Sequence, residues 1–119
     1  MLIKVLKSKI HRATVTDSLI DYPGSIGIDS ALMEAAGIVP YELVLVADVT
    51  NGARLETYVV AGKRGSGTIC MNGAAAHLIT AGDTVDIMAF SWSSGGLQPL
   101  FVEVDRGNRF VRYVDANSL

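Results

Sequence analysis

The residues best suited to covalent chemistry lie in Tyr22-Pro23-Gly24-Ser25-Ile26-Gly27. Little side-chain bulk surrounds the Gly24 carbonyl, so the Ser25 hydroxyl can approach it if the backbone is suitably held. Pro-Gly-Ser is also an ordinary turn sequence, and these residues alone leave both readings open. A serine hydrolase is a weaker third reading, because Ser25 has neither a nucleophile elbow nor a clear Ser-His-acid set around it.

Three further groups carry usable side chains. Lys7, Lys9 and His11 alternate onto one face of an extended segment, beside Arg12, and without other information this reads as the solvated face of an edge strand. Arg54, Glu56 and Tyr58 share one strand face and Leu55, Thr57 and Val59 the other. Arg54 can grip a carboxylate with two donors and Tyr58 can transfer a proton, although a cross-strand ion pair beside a half-buried tyrosine fits the same pattern. In Asn72-Gly73-Ala74-Ala75-Ala76-His77 an Asn-Gly turn opens a short helix of small residues, whose unpaired N–H groups can face an anion or only water.

The elements that must position these groups are legible from periodicity and turn chemistry. Residues 2–16 are rich in β-branched side chains and read as one long or broken strand. Asp29 and Gly37 cap a short helix over residues 30–36, and Pro40 ends any continuation. Residues 42–50 and 54–61 form a hairpin about Asn51-Gly52. A strand follows over residues 84–90, then a loop over 91–96 with Trp92 as its expected anchor, then a second hairpin pairing 100–104 with 110–114.

Composition narrows the function classes. With 119 residues, half of them hydrophobic, the chain can bury the core of a single domain, and twelve glycines favour short strands. Ten Lys and Arg against twelve Asp and Glu leave no positive field for nucleic acid. The lone Cys70 excludes an intrachain disulfide and a cysteine-cluster metal site, and it reads as a core thiol in a reducing cytoplasm. Two histidines make a metal centre unexpected. The N-terminus lacks an apolar stretch long enough for export or membrane spanning, so a cytoplasmic location is expected.

Taken together, Lys9-Ile10-His11-Arg12, Tyr22-Pro23-Gly24-Ser25, Ala35-Ala36-Gly37-Ile38, Asn51-Gly52-Ala53-Arg54 with Thr57-Tyr58, Arg64-Gly65-Ser66 and Asn72-Gly73-Ala74-Ala75-Ala76-His77 closely resemble, in order and spacing, the pyruvoyl-dependent aspartate 1-decarboxylases. The likeness covers about residues 1–90. It implies a mainly β fold, a six-stranded double-psi β-barrel with short helices and a C-terminal hairpin, assembled as a homotetramer with active sites between subunits. It also implies a proenzyme, cut between Gly24 and Ser25 into chains 1–24 and 25–119, in which Ser25 becomes a covalent pyruvoyl group. That group would form a Schiff base with L-aspartate and act as electron sink in making β-alanine for pantothenate synthesis, without metal or pyridoxal phosphate.

By the same resemblance, Ser25 and Tyr58 are catalytic, with Tyr58 protonating the carbanion carbon. Gly24, Ser25, Thr57, His11 and Tyr22 belong to processing. Lys9, Arg54, Thr57, Asn72, Gly73, Ala74 and Ala75 bind substrate. Ala47 stands where many family members carry tryptophan or another larger residue, and residues 91–114 match less clearly. The alternative is a non-enzymatic β-barrel serving as a binding or assembly module, with Gly24-Ser25 as a plain turn.

Overall fold

The architecture described by the computed structural model, which covers residues 1–118, is organised around its first strand. β1 (Ile3–Thr14) runs between β7 (Thr84–Ser93), to which it is antiparallel, and β8 (Leu100–Val104), to which it is parallel. The cationic face of residues 7–11 therefore belongs to an interior strand, which corrects the edge-strand expectation. Its alternation holds, since Ser8 and Ile10 are buried while Lys7, Lys9 and His11 lie half-buried on the other face, the lysines in ion pairs and His11 beside Asp86.

The chain continues through β2 (Asp17–Leu19), β3 (Ser25–Asp29), helix α1 (Ser30–Ala36), β4 (Leu43–Asp48), β5 (Arg54–Gly62) and β6 (Ile69–Asn72). A short 3-10 helix (Gly73–His77) precedes β7, and the hairpin of β8 and β9 (Phe110–Val114) follows. The strands form one mixed sheet in the order β2-β6-β3-β5-β4-β7-β1-β8-β9. Thr16, just beyond β1, exchanges hydrogen bonds with Ile69 of β6, and Val15 does so with the Gly82-Asp83 turn, which curls the sheet upon itself. This is the expected mainly β fold with short helices and a C-terminal hairpin, with nine strands where six plus a hairpin were expected; the three-residue β2 is the addition.

The core is aliphatic. Ile10, Ile26, Ile28, Val44, Val46, Val59, Ile69, Met71, Ile87 and Val102 are fully buried or nearly so, and Leu32, Met33 and Ala36 bring one face of α1 onto them. Asp29 accepts from the Ala31 N–H at the start of α1, and Gly37 ends the helix in the left-handed region at φ 67°, both as the capping chemistry predicts. The Asp29 carboxylate also accepts from the Gly65 and Gly67 N–H groups. Burial pushes its pKa upward, but those three donors and Arg109 outweigh that effect and hold it below the usual carboxylate value.

The hairpin about Asn51-Gly52 forms as expected, with Ala47 opposite Arg54, and Asp48 accepting from the Thr50 and Asn51 N–H groups. β7 continues through Trp92 to Ser93 because β1 remains paired with it as far as Ile3. The expected loop therefore starts later, and Trp92 is an exposed strand residue rather than a loop anchor. No helix among the described residues is long and apolar enough to cross a membrane.

Candidate active site

The Gly24-Ser25 bond sits where a loop becomes a strand. Ser25 opens β3, a strand buried along its whole length and paired with β5 on one side and β6 on the other. The antiparallel register sets Ser25 opposite Asn72 and Gly27 opposite Cys70. Ser25 is 3% exposed. Its hydroxyl donates to the Pro23 carbonyl at 3.2 Å and accepts from Asn72 Nδ2 at 3.0 Å.

Asn72 occupies the N-cap position of the 3-10 helix, yet its side chain caps nothing there. Its carboxamide instead joins the thiol of Cys70, which donates to Oδ1 at 3.2 Å, to the Ser25 hydroxyl. Gly73 follows at φ 71° and passes so close to the loop that a methyl group on it would lie 2.7 Å from the Gly24 Cα and 2.9 Å from the Tyr22 carbonyl oxygen. A pocket of about 220 Å³ opens beside these residues, lined by Gly24, Thr57, Asn72, Ala74, Ala75 and neighbours on β5. One chain thus gathers Gly24, Ser25, Thr57 and the Asn72–Ala75 turn.

The other candidate residues lie elsewhere. Lys9 Nζ stands 3.6 Å from Asp86 Oδ2, and His11 Nδ1 stands 3.5 Å from Asp86 Oδ1 without making a hydrogen bond. Asp86 also accepts from the Arg12 N–H at 2.9 Å, at a bulge where Arg12 adopts φ 51°. Burial, helped by Lys9 and Arg12, lowers the His11 pKa from its usual value against the opposing pull of Asp86 and Glu103. Arg54 and Tyr58 share the more exposed face of β5, opposite to Thr57. Through the cross-strand register Arg54, Ala47 and Asp86 form one row, so the small Ala47 leaves the space between Arg54 and Asp86 open. Tyr22 is exposed.

Among the described residues, no hydrogen bond or ion pair links Lys9, His11, Arg54 or Tyr58 to Ser25, Thr57 or Asn72. A larger pocket, about 480 Å³, lies on the face of Arg54 and Tyr58 and is lined by Lys4, Glu42, Leu43, Leu45, Glu56, Phe90 and Trp92. The smaller one is the candidate site, because Gly24 and Asn72 line it and Asn72 donates to the buried Ser25 hydroxyl. Sequence reasoning missed two partners: Asp86, which read only as an alternating strand residue, and Cys70, which read only as core. The signal for Cys70 was its place two residues before Asn72, which puts both on one strand face.

The family model described as Aspartate decarboxylase matches residues 1–111, well beyond residue 90 and into the C-terminal hairpin. A protein named aspartate 1-decarboxylase from Caldicellulosiruptor saccharolyticus is 55% identical, with 94% of this chain and 91% of that protein covered. Proteins of the same name from Corynebacterium efficiens and Lactiplantibacillus plantarum are 54% and 52% identical, covering 93% and 96% of this chain and 85% and 91% of their own lengths. Among solved structures, the computationally designed msDPBB_sym2 protein aligns over 73% of this chain and 99% of its own, with 20% identity and a TM-score of 0.45. With a buried serine held at a glycyl bond and a family match spanning nearly all of its length, the chain belongs to the aspartate decarboxylase family.

Proposed function

We propose that the chain is a proenzyme that opens its own Gly24-Ser25 bond and then converts L-aspartate to β-alanine and CO2, the step that supplies β-alanine for pantothenate synthesis. The observation that carries this reading is the hydrogen bond from Asn72 Nδ2 to the buried Ser25 hydroxyl beside the Gly24 carbonyl. In the processing step Ser25 Oγ bonds to the Gly24 carbonyl carbon, and the bond from that carbon to the Ser25 nitrogen breaks, giving an ester and a free amine. Loss of the Ser25 α-proton then expels Gly24 as a carboxylate, and water replaces the nitrogen, which leaves as ammonia. Residue 25 is then a pyruvoyl group.

The residues present fit that product. Position 25 is enclosed, its neighbours 24 and 27 are glycines, and the adjacent pocket is lined by alanines that leave room for a small substrate. When formed, the group supplies an electron sink for the charge left as CO2 departs. Arg54 and Lys9 hold the two carboxylates of the substrate, with Arg54 able to engage one through a bidentate fork. The Asn72 amide and the Gly73–Ala75 backbone orient the substrate, while Thr57 contacts it and stabilises the oxyanion of the cleavage step. Tyr58 Oη delivers the proton to the carbon that loses CO2. Tyr22 borders the processing centre along the chain, and His11 reaches it from a neighbouring copy.

Because Lys9, Arg54 and Tyr58 do not meet Ser25 within one chain, a neighbouring copy in a homotetramer brings them together. The exposed Leu43, Tyr58 and Trp92 around the larger pocket suit burial in such an interface.

Denaturing intact-mass analysis tests the whole scheme. It should yield a 24-residue and a 95-residue chain, the second beginning with a blocked, carbonyl-bearing residue, in a preparation that releases CO2 from L-aspartate. A fully active preparation containing only intact chain refutes the mechanism.

A further inference from the structure

Four residues share one face of the β3–β6 pair: Ser25 opposite Asn72, and Gly27 opposite Cys70. Cys70 and Asn72 are two residues apart on β6, so their side chains emerge on the same side. Gly27 lies directly against Cys70, whose Cβ would stand 3.5 Å from a methyl group placed there. The thiol donates to Asn72 Oδ1 at 3.2 Å, and Asn72 Nδ2 donates to Ser25 Oγ at 3.0 Å. Cys70, Asn72 and Ser25 are all buried, so no water competes for these groups at low cost.

A carboxamide has two unlike ends, an oxygen that only accepts and a nitrogen that only donates. A donor fixed on the oxygen side therefore decides which end faces Ser25. If the amide turned over, its oxygen would draw the Ser25 proton away from the Pro23 carbonyl and leave the hydroxyl without an incoming donor. Burial, reinforced by the carboxylate of Asp17, raises the Cys70 pKa and keeps the thiol in the protonated form that can donate.

The geometry points to Cys70 as a positioning residue for self-cleavage: its S–H group fixes the Asn72 amide so that the Ser25 hydroxyl is held in one orientation beside the Gly24 carbonyl. This role rests on the reading of Gly24-Ser25 as the bond that opens. Cys70 gives up no atom or electron in the step; the new bond is Ser25 Oγ to the Gly24 carbonyl carbon, the broken bond is that carbon to the Ser25 nitrogen, and the hydroxyl proton ends on that nitrogen.

The test compares freshly synthesised full-length chains carrying Cys70, Cys70→Ser, Cys70→Ala and Cys70→Val, with cleavage followed over time by denaturing intact mass. A serine hydroxyl can replace the thiol as donor, so Cys70→Ser should stay within about threefold of the parent rate, whereas Ala and Val should slow cleavage by about tenfold, the scale of one lost hydrogen bond. Melting of each variant in an uncleavable Ser25→Ala background separates this from packing. A packing role alone favours the apolar Ala and Val over Ser in both stability and rate, whereas a positioning role lets Ser cleave faster even where it folds less stably. Cleavage of Cys70→Ala at the parent rate, or of Cys70→Ser as slowly as Cys70→Ala, overturns the inference while leaving the cleavage reading intact. A parent chain that never cleaves overturns both.

Discussion

Gly73 and Gly24 meet backbone to backbone, so closely that a Cβ on Gly73 would lie 2.8 Å from the Gly24 nitrogen. The contact joins the turn proposed to bind substrate to the bond proposed to open, and neither partner has a side chain that could yield. Gly73→Ala should therefore displace the loop and strain a left-handed backbone, at a cost of about 1–3 kcal/mol. Cleavage followed by intact mass should slow sharply, whereas Gly65→Ala, also left-handed but in open space, should lose comparable stability and still cleave.

Tyr58 stands on the opposite face of β5 from Thr57. Tyr58→Phe removes only the hydroxyl, so self-cleavage should proceed while kcat for aspartate falls by about 10²–10⁴, the scale of one general acid. Turnover at the parent rate would remove Tyr58 from the role of proton donor.

Arg54 forms no ion pair within the chain among the described residues and so is available to a ligand. Arg54→Lys keeps the charge but loses the planar fork, and KM for aspartate should rise about tenfold or more with cleavage unchanged. Steady-state kinetics on the cleaved variant measure this directly.

Asp29 ties the start of α1 to the Gly65–Gly67 turn through three backbone donors. Its carboxyl is held below the usual range in the folded chain, so the unfolded chain binds the proton more readily. Its contribution to stability is complete above the unfolded pKa and is lost as pH falls through the folded value. Asp29→Ala should cost about 2–4 kcal/mol near neutrality and less in acid, as urea midpoints measured across pH would show.

Asp48 behaves in the opposite sense. Burial, with the Asp83 carboxyl beside it, raises its pKa, while that of Asp83 is lowered. For Asp48 the folded chain holds a proton that the unfolded chain releases, and its stabilising share is present in acid and fades as pH rises through the folded value. Asp48→Asn keeps an acceptor for the Thr50 and Asn51 N–H groups without a carboxyl proton to lose. Its stability should fall less than that of the parent as pH rises from 4 towards neutrality.

Local signals made several elements readable in advance. Asp29 and Gly37 announced α1, Asn51-Gly52 announced the β4–β5 hairpin, and alternation put Thr57 and Tyr58 on opposite faces. What escaped was β3 and β6. Ser25–Asp29 and Ile69–Asn72 are buried on both faces and so show no alternation, and the parallel partner of β3, the stretch from Val59 to Gly62, is more than thirty residues away along the chain. The site inherited that blindness: the facing of Ser25 and Asn72 depends on this long-range register, as does the placing of Gly27 beside Cys70. Lys9 looked like an edge residue because nothing local shows that β8, some ninety residues later, will flank β1.

The position of β1 has a consequence for the processed molecule. Once the Gly24-Ser25 bond is cut, residues 1–24 are a separate chain whose main strand is still clasped between β7 and β8. Melting of each subunit then liberates two chains where the uncut precursor liberates one, so cleavage adds to the concentration dependence of the midpoint, and recovery of each subunit requires a bimolecular encounter. Under the proposed cleavage the precursor folds as a single chain, and the mature protein is a complementation complex made after folding is over.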